Sequence, residues 1–109
     1  MTTLAGTAGI FGSTDGTGPA AQFSGLNGVA VDGDGMVYVA DSSNNTVRKI
    51  TPLGVVTTVV GVPGSGGVAL GVLSGSLNYP VGVAAMPGPS VSLVISTSGE
   101  NAILRADLP

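Results

Sequence analysis

Short runs of apolar and β-branched residues, each followed by polar turn residues, fill residues 27–61. The runs cover residues 28–32, 37–41, 46–50 and 55–60. The second run is β-branched and aromatic, and the third alternates apolar with polar positions as a half-exposed strand does. Glycine, aspartate, asparagine and proline lie between the runs, where they favour turns. A spacing of about ten residues between successive strands predicts a meandering antiparallel sheet of four strands.

The size of the side chains changes in one direction across this four-strand unit. The first strand is built from glycine, valine and alanine, whereas the third and fourth carry charges and hydroxyl groups. Small side chains suit the crowded innermost strand of a radial blade, and polar side chains suit its rim. The gradient therefore favours a propeller blade over a flat sheet.

A looser copy of the unit follows it. Residues 23–31 correspond to 77–85, and residues 39–47 correspond to 95–103, so the offset is 54 to 56 residues. A period of this length indicates a repeat of one blade with a long link between blades. The start of the chain also belongs to the pattern, because Thr2-Thr3-Leu4-Ala5-Gly6 is nearly repeated at positions 57–61.

The two copies cover different parts of the four-strand pattern. The second, at 79–107, has an inner, a second and a third strand but no outer strand, whereas residues 2–6 are an outer strand with no blade before it. We interpret residues 1–109 as a single two-blade unit, with blade one at 27–61. The unpaired edge of blade two would attract another chain. The residues expected in this contact are Thr2, Thr3, Leu4 and Ala5 of one copy and Ala102, Ile103 and Leu104 of another.

Two blades cannot close a ring within one chain, because propellers contain about four to eight. Strand addition from head to tail can be repeated from copy to copy, and a heterologous contact of this kind can close. The pattern therefore predicts a homo-oligomer of two-blade chains, made by exchange of the N-terminal strand.

The first unit resembles an NHL repeat. The matching stretches are 28–32 (GVAVD), 35–50 (GMVYVADSSNNTVRKI) and 56–61 (VTTVVG). The second unit departs from the pattern: a Pro-Gly-Pro turn replaces Asp-Gly, Thr97 stands at the position of Asp41, and Leu104 at that of Arg48. The resemblance implies an all-β propeller, often six-bladed, and therefore favours a homotrimer. It also implies a platform that binds protein, peptide, RNA or glycan, while a few related propellers are lyases that use metal and histidine.

The amino-acid composition of the chain disfavours several classes of protein and of function. The chain has 109 residues, 43% of them hydrophobic, and 19 glycines, which favours an ordered all-β domain over disorder. It contains no apolar run of about 20 residues and no signal peptide pattern, so neither a membrane segment nor a compartment is indicated. Three cations and a net charge of −3 disfavour nucleic-acid binding. So few charges also indicate that another chain covers part of the surface.

The chain has no cysteine and no histidine. Their absence removes the Ser-His-Asp and Cys-His arrangements and most zinc sites. We therefore expect no catalytic residues, no metal and no cofactor. A lyase or hydrolase ranks last, behind a ring scaffold that binds a ligand or protein through loops on one face. A fragment of a longer NHL propeller is the other alternative.

Three features carry candidate sites, each with a structural explanation beside the functional one. The acidic turn at 32–35 resembles part of a calcium loop, but a hairpin turn is favoured because further oxygen ligands are missing. The connector at 12–18 could face a ligand, although a structural link is favoured. Asp41 could be a carboxylate at the mouth of the propeller, but an aspartate that caps a turn is favoured. The candidate ligand-facing residues are Thr14, Asp15, Thr17, Asp41, Asn44, Asn45 and Arg48.

The remaining polar and aromatic residues have expected structural roles. Asn44-Asn45-Thr46 fits the N-glycosylation pattern. The cations Arg48, Lys49 and Arg105 are interpreted as solvated rim charges or as partners of Asp41 and Glu100. We expect the aromatic residues to pack between blades; they are Phe11, Phe23, Tyr38 and Tyr79.

Overall fold

The chain folds into two antiparallel β-sheets. The structure is a computed structural model, and it describes residues 1–63, 77–99 and 101–108. Glu100 and most of the second connector, residues 64–76, lie outside this part. The strands are β1 (Gly16–Thr17), β2 (Leu26–Val31), β3 (Val37–Asp41), β4 (Thr46–Ile50), β5 (Val55–Val60), β6 (Pro80–Met86), β7 (Ser92–Thr97) and β8 (Ala102–Asp107). Short 3-10 turns occupy Gly18–Ala20 and Ser42–Asn44.

Sheet one has the order β1-β5-β4-β3-β2, and sheet two has the order β6-β7-β8. All pairs are antiparallel, as expected when short hairpins join consecutive strands. The prediction of an all-β chain with two antiparallel sheets is confirmed. The sheets correspond to blade one and to the three-strand part of blade two.

Strand β1 is the element that the sequence pattern missed. It lies in the first connector and pairs with the outer strand β5, with Gly16 opposite Val56. The Gly18 backbone N–H donates to the carbonyl of Gly54, and the Gly6 N–H donates to the carbonyl of Gly18. The connector therefore runs along the outer edge of blade one and is hydrogen-bonded to it.

The two sheets pack face to face around one apolar cluster. Its buried members are Tyr38, Val47 and Val60 from sheet one, Leu77 from the segment just before blade two, and Leu93, Ile95 and Ala106 from blade two. The inner strands approach most closely at Gly28. A Cβ atom there would lie 2.8 Å from the carbonyl oxygen of Val81 and 3.1 Å from Cα of Gly82. Glycine at this position thus lets the two inner strands meet backbone to backbone.

The opposite face of sheet one carries a second apolar cluster. Ala21, Val39, Ile50 and Val56 are its buried residues, and Ala5, Phe23 and Val37 pack against them. Ala5, Ala21 and Phe23 of this cluster belong to the N-terminal connector, which therefore covers part of this face of sheet one.

The N-terminal segment forms no strand in the single chain. Residues 1–4 are exposed, and Ala5 is half-buried against the second cluster. Within the described residues, β8 is hydrogen-bonded to β7 on one side only, and Ile103 is 72% exposed. The pairing of residues 2–6 with β8 of another copy therefore stays a prediction.

Candidate functional site

The largest polar arrangement in the described residues surrounds Arg48. Strand β4 carries Arg48 on the face that the connector covers, and its side chain is completely buried. One terminal nitrogen, Nη1, donates to the Gln22 carbonyl at 2.7 Å and to Asp41 Oδ2 at 3.0 Å. The other, Nη2, donates to the Thr14 carbonyl at 3.0 Å and to Asp15 Oδ1 at 2.9 Å. The planar guanidinium suits several fixed acceptors at once.

The guanidinium also lies over an aromatic ring. Its central carbon is 4.9 Å from the centroid of Phe23, which is a cation–π distance. Phe23 belongs to the same connector as Thr14, Asp15 and Gln22. One side chain thus fastens a connector of more than ten residues to blade one.

The two carboxylates complete this arrangement. Asp41 Oδ1 accepts the Ser24 backbone N–H at 2.8 Å, and Oδ2 accepts the Asn44 side-chain amide at 2.8 Å. Asp15 accepts the backbone N–H and the hydroxyl of Thr58 at 3.2 and 3.0 Å. Asp41 is completely buried, whereas the Asp15 side chain is 47% exposed. Asp41 is thus the internal partner of Arg48, and Asp15 joins the connector to β5.

The ligand-facing interpretation is wrong for Asp41 and Arg48, because neither side chain reaches the surface. The interpretation of Arg48 as a solvated rim charge is also wrong, although its predicted pairing with Asp41 is confirmed. Sequence reasoning missed the other partners because they lie 26 to 34 residues away in the connector. Two polar atoms here, Arg48 Nε and Thr46 Oγ1, have no hydrogen-bond partner among the described residues.

The other candidate loop residues lie at or near the surface. Thr14, Asp15 and Thr17 are exposed, and Asn44 and Asn45 are half-buried. The Asn44 amide nitrogen also donates to the Gly12 carbonyl at 2.7 Å, so a glycan attached at this nitrogen would have to break a structural bond. Asn45 Oδ1 accepts the Tyr79 backbone N–H at 2.8 Å, which joins the two blades.

A polar seam joins the blades at the end of the strands that carries the β3–β4 turn. The Ser42 hydroxyl donates to the carbonyl of Pro80, the first residue of β6. Asn27, on the inner strand β2, donates its side-chain amide to Ser42 Oγ at 2.6 Å. The residues of this seam have no distinctive sequence pattern, since serine and asparagine are also common turn residues.

The acidic segment at 32–35 forms the turn of a hairpin, as the structural interpretation predicted. Strands β2 and β3 pair across it. Asp32 accepts backbone N–H groups of Asp34 and Met36 at 2.9 and 3.0 Å and the Tyr38 hydroxyl at 2.8 Å. Among the described residues, no three acidic, histidine or cysteine side chains lie together in a way that could hold a metal ion.

This hairpin shifts the pKa values of two groups. Desolvation opposes the ionisation of Asp32, but the bonds from Tyr38, Met36 and Asp34 outweigh it and leave its pKa below the ordinary value. Burial, followed by the bond to Asp32, raises the pKa of Tyr38 to about 12. Both shifts favour the state with Tyr38 protonated and Asp32 ionised.

The predictions for the aromatic residues and for Arg105 agree with the structure only in part. Tyr38 is buried in the cluster between the blades, and Phe23 packs against the second cluster. Phe11 and Tyr79 are exposed in the single chain, so the prediction that they pack between blades is wrong there. Arg105 lies on the surface and pairs with Asp107 at 2.8 Å. Hydrogen bonds from Ser92 and Arg105 hold the pKa of Asp107 below its ordinary value.

Comparison with known proteins supports the propeller assignment. The sequence profile of the NHL repeat matches residues 23–50, the stretch that contains Phe23, Asp41 and Arg48. No curated protein matches the chain in sequence. No helix among the described residues has the length and apolar character needed to cross a membrane.

Several solved structures share the fold. A structural genomics protein of unknown function from Bacteroides thetaiotaomicron VPI-5482 matches 95% of the chain at 29% identity, with a TM-score of 0.84. An auxiliary nutrient binding protein from the same organism matches 97% at 21% identity and a TM-score of 0.80. Another, from Bacteroides ovatus ATCC 8483, matches 97% at 23% identity and a TM-score of 0.73. The chain spans only 26%, 28% and 28% of these three proteins, respectively.

Proposed function

Since the chain carries an NHL repeat at residues 23–50, we propose that it is a non-enzymatic two-blade unit of a β-propeller. Copies of the unit join from head to tail into a closed ring, and the ring binds a ligand or protein through loops on one face. Three copies, giving six blades, are favoured by the resemblance to NHL propellers.

The observation that carries the assembly is the difference between the outer halves of the two blades. In blade one, β4 is followed by β5 and then by β1. In the described part of blade two, the sheet ends at β8, and residues 2–6, of which 2–4 are exposed, nearly repeat the sequence at 57–61 in β5 and just beyond it. A strand edge without a partner is a template for strand addition. The residues proposed to pair are Thr2, Thr3, Leu4 and Ala5 of one copy with Ala102, Ile103 and Leu104 of the next.

The proposed binding face is the end of the strands that carries the β3–β4 turn. The side chains of Asn44 and Asn45 lie there, and Asn44 bonds to the connector at Gly12. The buried pair of Asp41 and Arg48 holds this end rigid, as a binding loop on a scaffold requires. A protein, peptide or glycan is the proposed class of ligand. Two proteins with this fold are described as nutrient binding, which supports a binding role.

Strand donation is tested with a proline in the N-terminal segment. Leu4→Pro removes a backbone N–H from the donated strand, so it should prevent the strand from pairing fully. We expect the mass from size-exclusion chromatography with light scattering to fall to that of one chain. Met1→Pro is the matched control, since it lies before the donated strand, and should keep the mass of the parent. An unchanged mass for Leu4→Pro would show that strand donation is wrong.

The binding role is tested separately on a glycan and peptide array. The full chain should bind one class of probe, and Asn45→Ala should weaken this binding while Leu53→Ala, in the turn at the other end of β4, leaves it unchanged. If no probe binds at micromolar concentration, or if the two variants behave alike, the proposed face is wrong.

A second candidate is a segment of a longer NHL propeller. It is favoured by the length of the structural relatives, of which the chain spans about a quarter. In that case the next blade of the same polypeptide would cover the edge of β8. A chain that stays monomeric at all concentrations, and a coding region that continues into further repeats, would favour this alternative.

An enzyme is the third candidate and is supported least. The chain contains no histidine and no cysteine, so the chemistry of the histidine-dependent propeller lyases does not transfer to it. Metal analysis of the purified protein separates the two readings, because a stoichiometric bound metal would favour the enzyme.

A further inference from the structure

The outer strand of blade one has the composition of a segment that aggregates when its edge is open. All six residues of β5, Val55–Val60, are valine or threonine, so the strand is β-branched throughout and carries neither charge nor proline. Six-residue segments of this kind stack with copies of themselves in cross-β structure. A strand of this composition at the edge of a sheet therefore needs protection.

Strand β1 protects the first part of this edge. The Gly54 carbonyl, just before β5, accepts the Gly18 N–H at 2.8 Å, and Val56 lies opposite Gly16 of β1. Both contacts are on the side of β5 that faces away from β4. Alternate residues of a strand direct their backbone groups to the same side, so the next position on this edge is Thr58.

The side chain of Asp15 closes the edge at Thr58, where β1 has ended. In the register of β1 and β5, a further backbone pair would join Thr58 to Thr14. The Thr14 carbonyl, however, already accepts the Gln22 N–H at 2.9 Å and Arg48 Nη2 at 3.0 Å. Asp15 Oδ2 accepts the Thr58 N–H at 3.2 Å instead, and Oδ1 accepts the Thr58 hydroxyl at 3.0 Å. The carboxylate thus replaces a strand partner and adds a negative charge to the edge.

The position of this carboxylate is fixed from the interior of the chain. The completely buried Arg48 donates from Nη2 to Asp15 Oδ1 at 2.9 Å. The Asp15 side chain is itself 47% exposed, so water reaches its charge. A strand that approached β5 here would have to displace the carboxylate from Thr58 or remove its water, and burying an unpaired charge is costly.

We infer that Asp15 is an edge guard, a side chain that prevents β5 from pairing with β5 of a second copy. A second β5 is the expected partner because identical uncharged segments of this type stack on one another. Only 8% of the residues are charged, so the chain has few other groups that would repel an incoming strand. The inference goes beyond the proposed ring, which uses the edge of β8, and applies whether or not the ring forms.

Removal of the carboxylate tests the edge guard. Aggregates of Asp15→Ala that bind thioflavin T should form at least about tenfold faster than those of the parent, because losing a hydrogen bond to a charged group shifts an equilibrium by about that factor or more. Asp34→Ala is the matched control, since it removes the same charge from an exposed residue in the β2–β3 turn. It should aggregate at the rate of the parent.

A destabilised variant with an intact edge separates edge opening from unfolding. Gly28→Ala adds a Cβ atom 2.8 Å from the Val81 carbonyl oxygen, so it should weaken the fold, and Gly28 lies on β2, far from β5 in the strand order. Asp15→Ala and Gly28→Ala are compared at denaturant concentrations that give equal unfolded fractions. Under these conditions Asp15→Ala should still aggregate faster.

A second substitution identifies the segment that pairs. Thr57 is exposed on β5, so Thr57→Lys in the Asp15→Ala chain would place a charge inside the segment and should restore slow aggregation. Leu53→Lys in the same chain is the control, because Leu53 is 86% exposed in the β4–β5 turn and lies outside β5. It should leave aggregation fast.

Three results would overturn the edge guard. The first is that Asp15→Ala aggregates no faster than the parent or Asp34→Ala. The second is that it aggregates no faster than Gly28→Ala at equal unfolded fraction, in which case lost stability is the cause. The third is that Thr57→Lys and Leu53→Lys act alike, in which case β5 is not the pairing segment. The proposed ring is tested separately, by the mass of the soluble parent and of Leu4→Pro.

Discussion

Arg48 and Asp41 form a buried ion pair, and the second blade shows which residues can replace it. Their repeat counterparts are Leu104 and Thr97, so both members of the pair are replaced together. Removing one partner of a buried ion pair leaves an uncompensated charge, whereas removing both does not. Blade two is thus a natural example of the double replacement.

A double-mutant cycle at these positions tests their coupling. Arg48→Leu alone should lower the free energy of unfolding by about 3–5 kcal/mol, because Asp41 stays buried without its cation. In Asp41→Thr/Arg48→Leu, the loss should be smaller than the sum of the single losses by about 0.5–3 kcal/mol. Chemical denaturation of the four proteins gives the coupling directly. Additive losses would contradict the assignment of Asp41 as the required partner.

Burial of Tyr38, together with its hydrogen bond to Asp32, makes the stability of the fold depend on pH in the alkaline range. The folded pKa of Tyr38 is raised to about 12, above the unfolded value of about 10. The unfolded chain therefore releases the proton first, and the stabilisation, complete below pH 10, is lost as the pH rises toward 12.

Tyr38→Phe should remove this dependence. The parent should lose stability between about pH 10 and 12, while the variant should lose less over the same range because it has no hydroxyl to ionise. Denaturant titrations of both proteins at several pH values measure the difference. Parallel curves for the two proteins would contradict the prediction.

At the scale of the element, close packing of the inner strands depends on Gly28. A Cβ atom at this position would lie 2.8 Å from a backbone oxygen of β6, and backbone cannot move aside as a flexible side chain can. Gly28→Ala should therefore destabilise the chain by about 1–3 kcal/mol.

Gly33→Ala is the control for this substitution. An added Cβ there meets nothing within 4 Å, and the residue has no positive φ. Its stability should equal that of the parent or exceed it by up to about 1 kcal/mol, because alanine restricts the unfolded chain. Thermal and denaturant unfolding measure both variants. Equal effects at the two positions would show that strand contact is not the cause.

The strands of both blades could be predicted from the sequence, because apolar runs and turn residues alternate regularly there. Strand β1 could not, since two residues in a glycine-rich connector have no periodicity to reveal them. The burial of Arg48 was also missed. Its partners Thr14 and Gln22 are adjacent to it only after the connector has folded back on blade one, and the pattern around β4 indicates only a half-exposed strand.

At the scale of the whole molecule, assembly should make thermal stability depend on protein concentration. A partner that binds only the folded chain stabilises it by mass action. The Tm of the parent should therefore rise as the concentration is raised a hundredfold, and the Tm of Leu4→Pro should change less. Differential scanning calorimetry over this range provides the measurement. A constant Tm for the parent would contradict the proposed ring.

The attachment of the connector to blade one has a consequence for how a ring of copies would form. Arg48 holds the connector at Thr14, Asp15 and Gln22, and Gly6 is bonded to Gly18. Residues 1–4, which include Thr2, Thr3 and Leu4 of the proposed donated strand, are exposed and extend from this anchored segment. Fixing the backbone of a residue costs about 1–2 kcal/mol of conformational entropy, so the loss on association is confined to a few residues. The N-terminal segment is therefore already held in place for binding to the next copy. Diffusion of folded chains, without a coupled folding step, would set the association rate.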